Sequence, residues 1–110
     1  MADFGEECPC LGSCPLAEAL KIIGGKWKFQ IICALHSCGT TRYNHLKRKI
    51  KGISDTVLAS SLQELESDGL VIREQYMEVP PRVEYRVTEA GKALIPIADQ
   101  LGDWVGSFRK

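Results

Sequence analysis

Apolar residues recur at helical spacing in five separate stretches of the chain and alternate with polar ones in only two short runs. Leu16, Leu20 and Ile23 mark a first helix that opens at Cys14. Pro15 suits its first helical position, where a missing N–H costs nothing, and Gly24-Gly25 ends it. Trp27, Ile31 and Leu35 mark a second helix over about 26–36, closed by Cys38-Gly39. Leu46 and Ile50 face the core from a third over 43–50, which Gly52 breaks. Leu58, Leu62 and Leu65 form the buried stripe of a fourth. Ser54 is its N-cap, Asp55 favours the positive helix end, and Gly69 suits the position after its last turn. At about 100° per residue, Thr56, Ser60, Gln63 and Ser67 point away from that stripe. Leu70–Tyr76 and Val83–Val87 are β-rich and joined by the proline-containing segment 77–82. Thr40-Thr41-Arg42 suits a short strand or a turn. Thr88 caps a last helix to about Phe108, with Leu94, Ile97, Leu101, Trp104 and Phe108 at heptad spacing and Pro96 kinking its first turns.

This order predicts a mainly α domain with a small β-hairpin (α+β). The third and fourth helices form a helix-turn-helix, the fourth is the recognition helix, and the hairpin is a wing. A chain of 110 residues has room for one such core. Residues 1–13 read as a flexible cysteine-containing tail, and 14–110 as a winged domain whose terminal helices dimerise. The last-helix stripe is too apolar to leave in water on so small a domain. Leu101, Trp104 and Phe108 lie furthest along it and are the expected interface, with Leu16 and Leu20 of the first helix.

Formal net charge is zero, but the signs are segregated. From Lys21 to Lys51 there are eight Lys or Arg and no Asp or Glu, and five of the eight fall within residues 42–51. Such a basic patch is what phosphates need, and it also describes an ordinary solvated helix face. No stretch approaches the length of a membrane span, and the acidic N-terminus lacks a signal-peptide core, so a cytoplasmic protein is expected. No Ser/His/Asp grouping, phosphate-binding glycine loop or paired carboxylate suggests an enzyme, and neither His36 nor His45 has a second ligand at metal spacing.

Five cysteines in a cytoplasmic chain are not a disulfide framework by default. Cys14 stands out because the positive end of the first helix favours its thiolate, the form that oxidants and electrophiles attack. Cys8 and Cys10 are positioned to resolve an oxidised Cys14, Cys38 is a further partner, and Cys33 is expected to be buried and inert. The competing special reading is a Cys-ligated metal centre built from Cys8, Cys10 and Cys14 with Cys38. The Cys8–Cys10 spacing is too short for the usual zinc pattern, and no cofactor is expected.

Five segments then carry a resemblance. They are Cys14-Pro15-Leu16, Gly24-Gly25-Lys26-Trp27, Gly52-Ile53-Ser54, the run from Leu62 to Val71, and Val79-Pro80-Pro81-Arg82-Val83-Glu84-Tyr85. In that order they resemble the HxlR-type winged helix-turn-helix regulators over about residues 14–105. The resemblance implies a homodimer, a pseudo-palindromic double-stranded DNA operator, and a small oxidant or electrophile as effector. Cys14 matches the sensing position of redox-responsive relatives.

Base edges in a major groove would be met by Ser54, Thr56, Val57, Ser60 and Gln63. Such relatives often carry Lys or Arg near position 56 and before Glu64-Leu65-Glu66. Here Thr56 and Gln63 stand there, and the fourth helix has no basic residue. Phosphate contacts are therefore expected from Arg42, His45, Lys47, Arg48 and Lys49, from Arg82 and Arg86 of the wing, and from Lys26 and Lys28. Arg82 is placed at the hairpin tip, flanked by Glu78 and Glu84. The absence of charge on the recognition helix leaves a second class of function open: a winged-helix interaction module with weak or no DNA binding.

Overall fold

The computed structural model describes residues 14–109; the tail over 1–13, with Cys8 and Cys10, lies outside the described residues. Six helices and three strands follow in the order α1 (Pro15–Ile23), α2 (Lys28–Cys38), β1 (Thr41–Arg42), α3 (Tyr43–Lys49), α4 (Asp55–Ser67), β2 (Val71–Tyr76), β3 (Arg82–Val87), α5 (Glu89–Lys92) and α6 (Ile95–Phe108). The strands form one antiparallel sheet in the order β1-β3-β2. Thr40-Thr41-Arg42 thus contributes a true strand: Thr41 pairs with Tyr85 and Arg42 with Glu84.

The core gathers around α2. Its Ile31, Ile32 and Leu35 are fully buried against Leu46 of α3, Leu58, Leu62 and Leu65 of α4, and Val71, Tyr85 and Val87 of the sheet. Ser54 caps α4 through its Oγ, which accepts from the Val57 N–H at 3.2 Å. At the other end Leu70 N–H donates to the Leu65 carbonyl at 2.9 Å around Gly69, whose φ of 81° is the left-handed value such a cap requires. The α3–α4 turn uses Gly52 at φ 88° for the same reason.

One expectation is corrected. The last helix is not a single kinked rod from Thr88. A four-residue α5 ends at Lys92, and α6 starts afresh at Ile95 with Pro96 in its first turn. Proline lacks the N–H that would continue the ladder, and its ring obstructs the carbonyl four residues earlier, so the chain restarts and does not bend. Thr88 ties this corner down. Its Oγ1 donates to the Gly69 carbonyl at 2.8 Å and accepts from the Gly91 N–H at 3.1 Å.

Gly91 sits where α5 presses on the sheet, and a Cβ there would lie 2.6 Å from the Leu70 carbonyl oxygen and also collide with Val87. Backbone cannot yield as a flexible side chain does. Gly91→Ala is therefore expected to cost about 1–3 kcal/mol despite the helix preference of alanine, seen as a lowered midpoint in thermal denaturation followed by circular dichroism.

Candidate nucleic-acid interface

The stripe buried by α4 decides what it shows. Ser54, Thr56, Ser60 and Gln63 are exposed and Val57 is half-buried, so the five sequence-selected residues share one accessible, uncharged face. Ser60 Oγ donates back to the Val57 carbonyl at 3.2 Å, which leaves its lone pairs outward. The adjoining α3 is held against the first turn of α4 by Tyr43, whose hydroxyl donates to the Asp55 carbonyl at 3.1 Å. Burial, then the neighbouring Asp55 carboxylate, push the Tyr43 hydroxyl pKa up, so it stays a donor at neutral pH. Sequence reasoning missed this strut, because Tyr43 and Asp55 carry no mutual spacing signal.

Arg42, His45, Arg48 and Lys49 are exposed and have no ion-pair partner among the described residues. Lys47 is half-buried and 3.9 Å from Asp55, a long and exposed contact of little worth. Lys26 is exposed and lies 4.8 Å over the Trp27 ring. The cations of α3 therefore flank a helix, α4, that has none.

Two expected phosphate contacts are placed otherwise. The Lys28 side chain is only 13% exposed: its ammonium pairs with Glu64 of α4 and donates to the Ile22 carbonyl at 3.1 Å. It braces α2 against α4 and does not face outward. Arg82 is at the start of β3, not at the loop tip. Its guanidinium reaches Glu78 at 3.0 Å and Glu84 at 3.6 Å and stacks 4.1 Å over Tyr76. The Nε is buried without a hydrogen-bond partner, because the Glu84 contact is just too long. The tip is left to Met77 and Val79, which are almost fully exposed. Arg86 is exposed but pairs with Glu74 at 3.5 Å. Register explains this: Glu84 faces Glu74 across the ladder, so Arg82, Glu84 and Arg86 share one sheet face with Glu74.

Cys14 is half-buried beside the start of α1, and Cys38 is exposed at the end of α2. Cys33, expected to be buried, is half-buried; burial first and nearby Asp99 second raise its thiol pKa. Among the described residues no three His, Cys, Asp or Glu side chains gather as a metal site, and no helix is long and apolar enough to cross a membrane. α1 and α6 bury no residue. Leu16 and Leu20 on one, and Leu101, Trp104 and Phe108 on the other, are about half exposed or more.

Because Arg82 is already neutralised, Arg82→Gln is expected to leave the salt dependence of DNA binding unchanged. Replacing both Glu78 and Glu84 with Gln releases its charge and should steepen the log–log salt slope by about 1 per wing. Fluorescence anisotropy of a labelled duplex across a salt series reads both.

The family described as HxlR-like helix-turn-helix matches residues 22–110. An HTH-type transcriptional regulator of Methanothermobacter thermautotrophicus is 48% identical over 91 residues, covering 83% of this chain and 69% of that protein. The structure of the redox regulator HypR in its oxidized form superimposes with a TM-score of 0.78 at 42% identity, over 88% of this chain and 99% of its own. The reduced transcriptional regulator YodB from B. subtilis gives a TM-score of 0.77 at 33% identity, over 88% of this chain and 96% of its own. The protein is a transcriptional regulator of the helix-turn-helix type, and the chain belongs to the HxlR-like helix-turn-helix family.

Proposed function

We propose that two copies of the chain bind a pseudo-palindromic duplex, each laying α4 in a major groove, and that oxidation of Cys14 changes how long they stay. The observation that carries the DNA reading is the uncharged polar face of α4 set directly beside unpaired cations of α3. In this reading Ser54, Thr56, Ser60 and Gln63 meet base edges, with Gln63 able to pair bidentately with adenine and the methyls of Thr56 and Val57 touching thymine. Arg42, His45, Lys47, Arg48, Lys49 and Lys26 hold phosphates. Lys28 and Arg82 are left out because their charges are engaged, and Arg86 contributes weakly. If the four Lys and Arg of 42–49 engage in both copies, the log–log salt slope should be about −7.

One module reads few bases, so the site has to be read twice. The exposed apolar faces of α1 and α6 are the surfaces we assign to the second copy. The described residues extend 60 × 35 × 25 Å, an elongated outline for a chain this short. The Trp104 and Phe108 rings pack tilted against each other with centroids 5.0 Å apart, and both remain more than half exposed. The thiol switch is supported by Cys14 at a helix start and by likeness to a protein named a redox regulator. Cys8, Cys10 and Cys38 are its disulfide partners in this reading, within a chain or across the dimer, and an oxidant or electrophile is the effector. A crosslink at α1 would shift the dimer contact and with it the spacing of the two α4 helices. Chromosomal DNA as target puts the protein in the cytoplasm.

Binding to fragments of the protein's own upstream region tests the DNA reading. Lys47→Glu with Arg48→Glu should lower affinity at least about 100-fold. No binding by the wild type would support the interaction-module reading, which the absence of basic residues from α4 favours, and unchanged binding in the double variant would reject α3 as the phosphate contact. Leu101→Glu with Trp104→Glu should give monomers in sedimentation; a dimer persisting there places the interface elsewhere. Diamide should alter the wild-type gel shift and leave Cys14→Ser unmoved, and equal responses reject Cys14 as the sensor.

A further inference from the structure

A broad groove of about 830 Å³ lies between β1, the start of α3 and the start of β3. Cys38, Arg42, His45 and Arg48 line one side, Arg82 and Glu84 the other. We propose that this groove binds a small disulfide bearing carboxylates, of the oxidised-tripeptide-thiol class, and that Cys38 exchanges with it.

The volume falls within the range of small-molecule sites. Its charge selects the ligand. Arg42 and Arg48 are exposed with no ion-pair partner among the described residues, and His45 lies beside them. The carboxylate facing them, Glu84, is engaged by the Arg82 Nε at 3.6 Å. Two guanidinium groups are thus open to an anion and the opposing acid is occupied. Cys38 is a free, exposed thiol on the side of Arg42 and Arg48.

The step balances without a further reagent. Cys38 gives its proton to water and its sulfur attacks one sulfur of the disulfide. A protein–ligand S–S bond forms, the ligand S–S bond breaks, and the other half leaves as a thiolate that takes up a proton. Cys38 is oxidised and the departing half reduced. Cys33, on the same helix, is the internal contrast. It is half-buried in an apolar hollow with Phe29, Ala98 and Leu101, and burial raises its thiol pKa. The adduct leaves carboxylates among cations that, under the proposed function, hold phosphate, so operator binding should weaken; this consequence rests on that reading, but the groove does not.

The test treats the full chain at low ionic strength with oxidised glutathione (anionic), 2-hydroxyethyl disulfide (neutral) or cystamine (cationic). Adducts at Cys38 and Cys33 are assigned by fragmentation mass spectrometry, and rates are normalised to those of the urea-unfolded chain. At Cys38 the normalised rate should fall in that order, with glutathione ahead of cystamine by about tenfold. The preference should collapse in Arg42→Gln with Arg48→Gln, and in about 0.5 M salt. Equal normalised rates, or a preference that survives in the arginine variant, overturn the proposal. No DNA enters this measurement, so failure of the operator reading leaves it standing. The operator arm compares the glutathione and cysteamine adducts of Cys38; equal affinities would overturn the claimed effect on binding.

Discussion

Burial of Leu58, Leu62 and Leu65 against α2 is the constraint on which the rest of the molecule depends. Each such side chain is stabilised by about 1.5–3 kcal/mol on leaving water. Together they fix the rotation of α4 about its own axis. A helix that must bury one stripe shows the opposite one, so the placing of Thr56, Ser60 and Gln63 in solvent follows from the core. The Ser54 cap and the Gly69 turn set where the helix begins and ends, and the Tyr43–Asp55 hydrogen bond fixes α3 beside its first turn. The polar face of α4 and the cations flanking it are thus positioned by one core.

Charge in this molecule is divided between two uses. Lys28 and Arg82 are spent internally, one bracing α2 on α4 and the other clamping the wing where its strands enter the loop. A cation already paired releases few counterions when a phosphate approaches, so neither adds much to electrostatic affinity. The exposed cations of α3 are what remain. In the proposed reading, affinity then resides largely in α3 and discrimination in α4, a separation sharper than in a recognition helix carrying its own Lys or Arg. The wing presents Met77 and Val79 at its tip and an internally balanced face along its strands.

Much of this was legible in the chain. The helix-turn-helix pair, the hairpin and the caps at Ser54, Gly69 and Thr88 follow from local rules about periodicity and termini, and those rules act within a few residues. What escaped needed tertiary register. Lys28 and Glu64 are far apart in sequence, and nothing in either segment marks them as partners. Arg82 was visibly flanked by acids, but its distance from the tip depends on the pairing of Tyr76 with Arg82. The break before Ile95 has a local cause in Pro96, but the apolar stripe that continues across it in sequence is equally that of one kinked helix. The stripe survives the break because α6 alone carries Ile97, Leu101, Trp104 and Phe108.

The central claim is that α4 discriminates and α3 holds, and the most direct measurement is one titration series on a single operator. Affinity for the operator and for a scrambled duplex is followed across a range of salt for Gln63→Ala and Arg48→Gln. The account predicts that Gln63→Ala loses preference for the operator at an unchanged salt slope. Arg48→Gln should keep the preference and flatten the slope by about 2, one phosphate from each copy. A flattened slope in Gln63→Ala, or lost preference in Arg48→Gln, would contradict it.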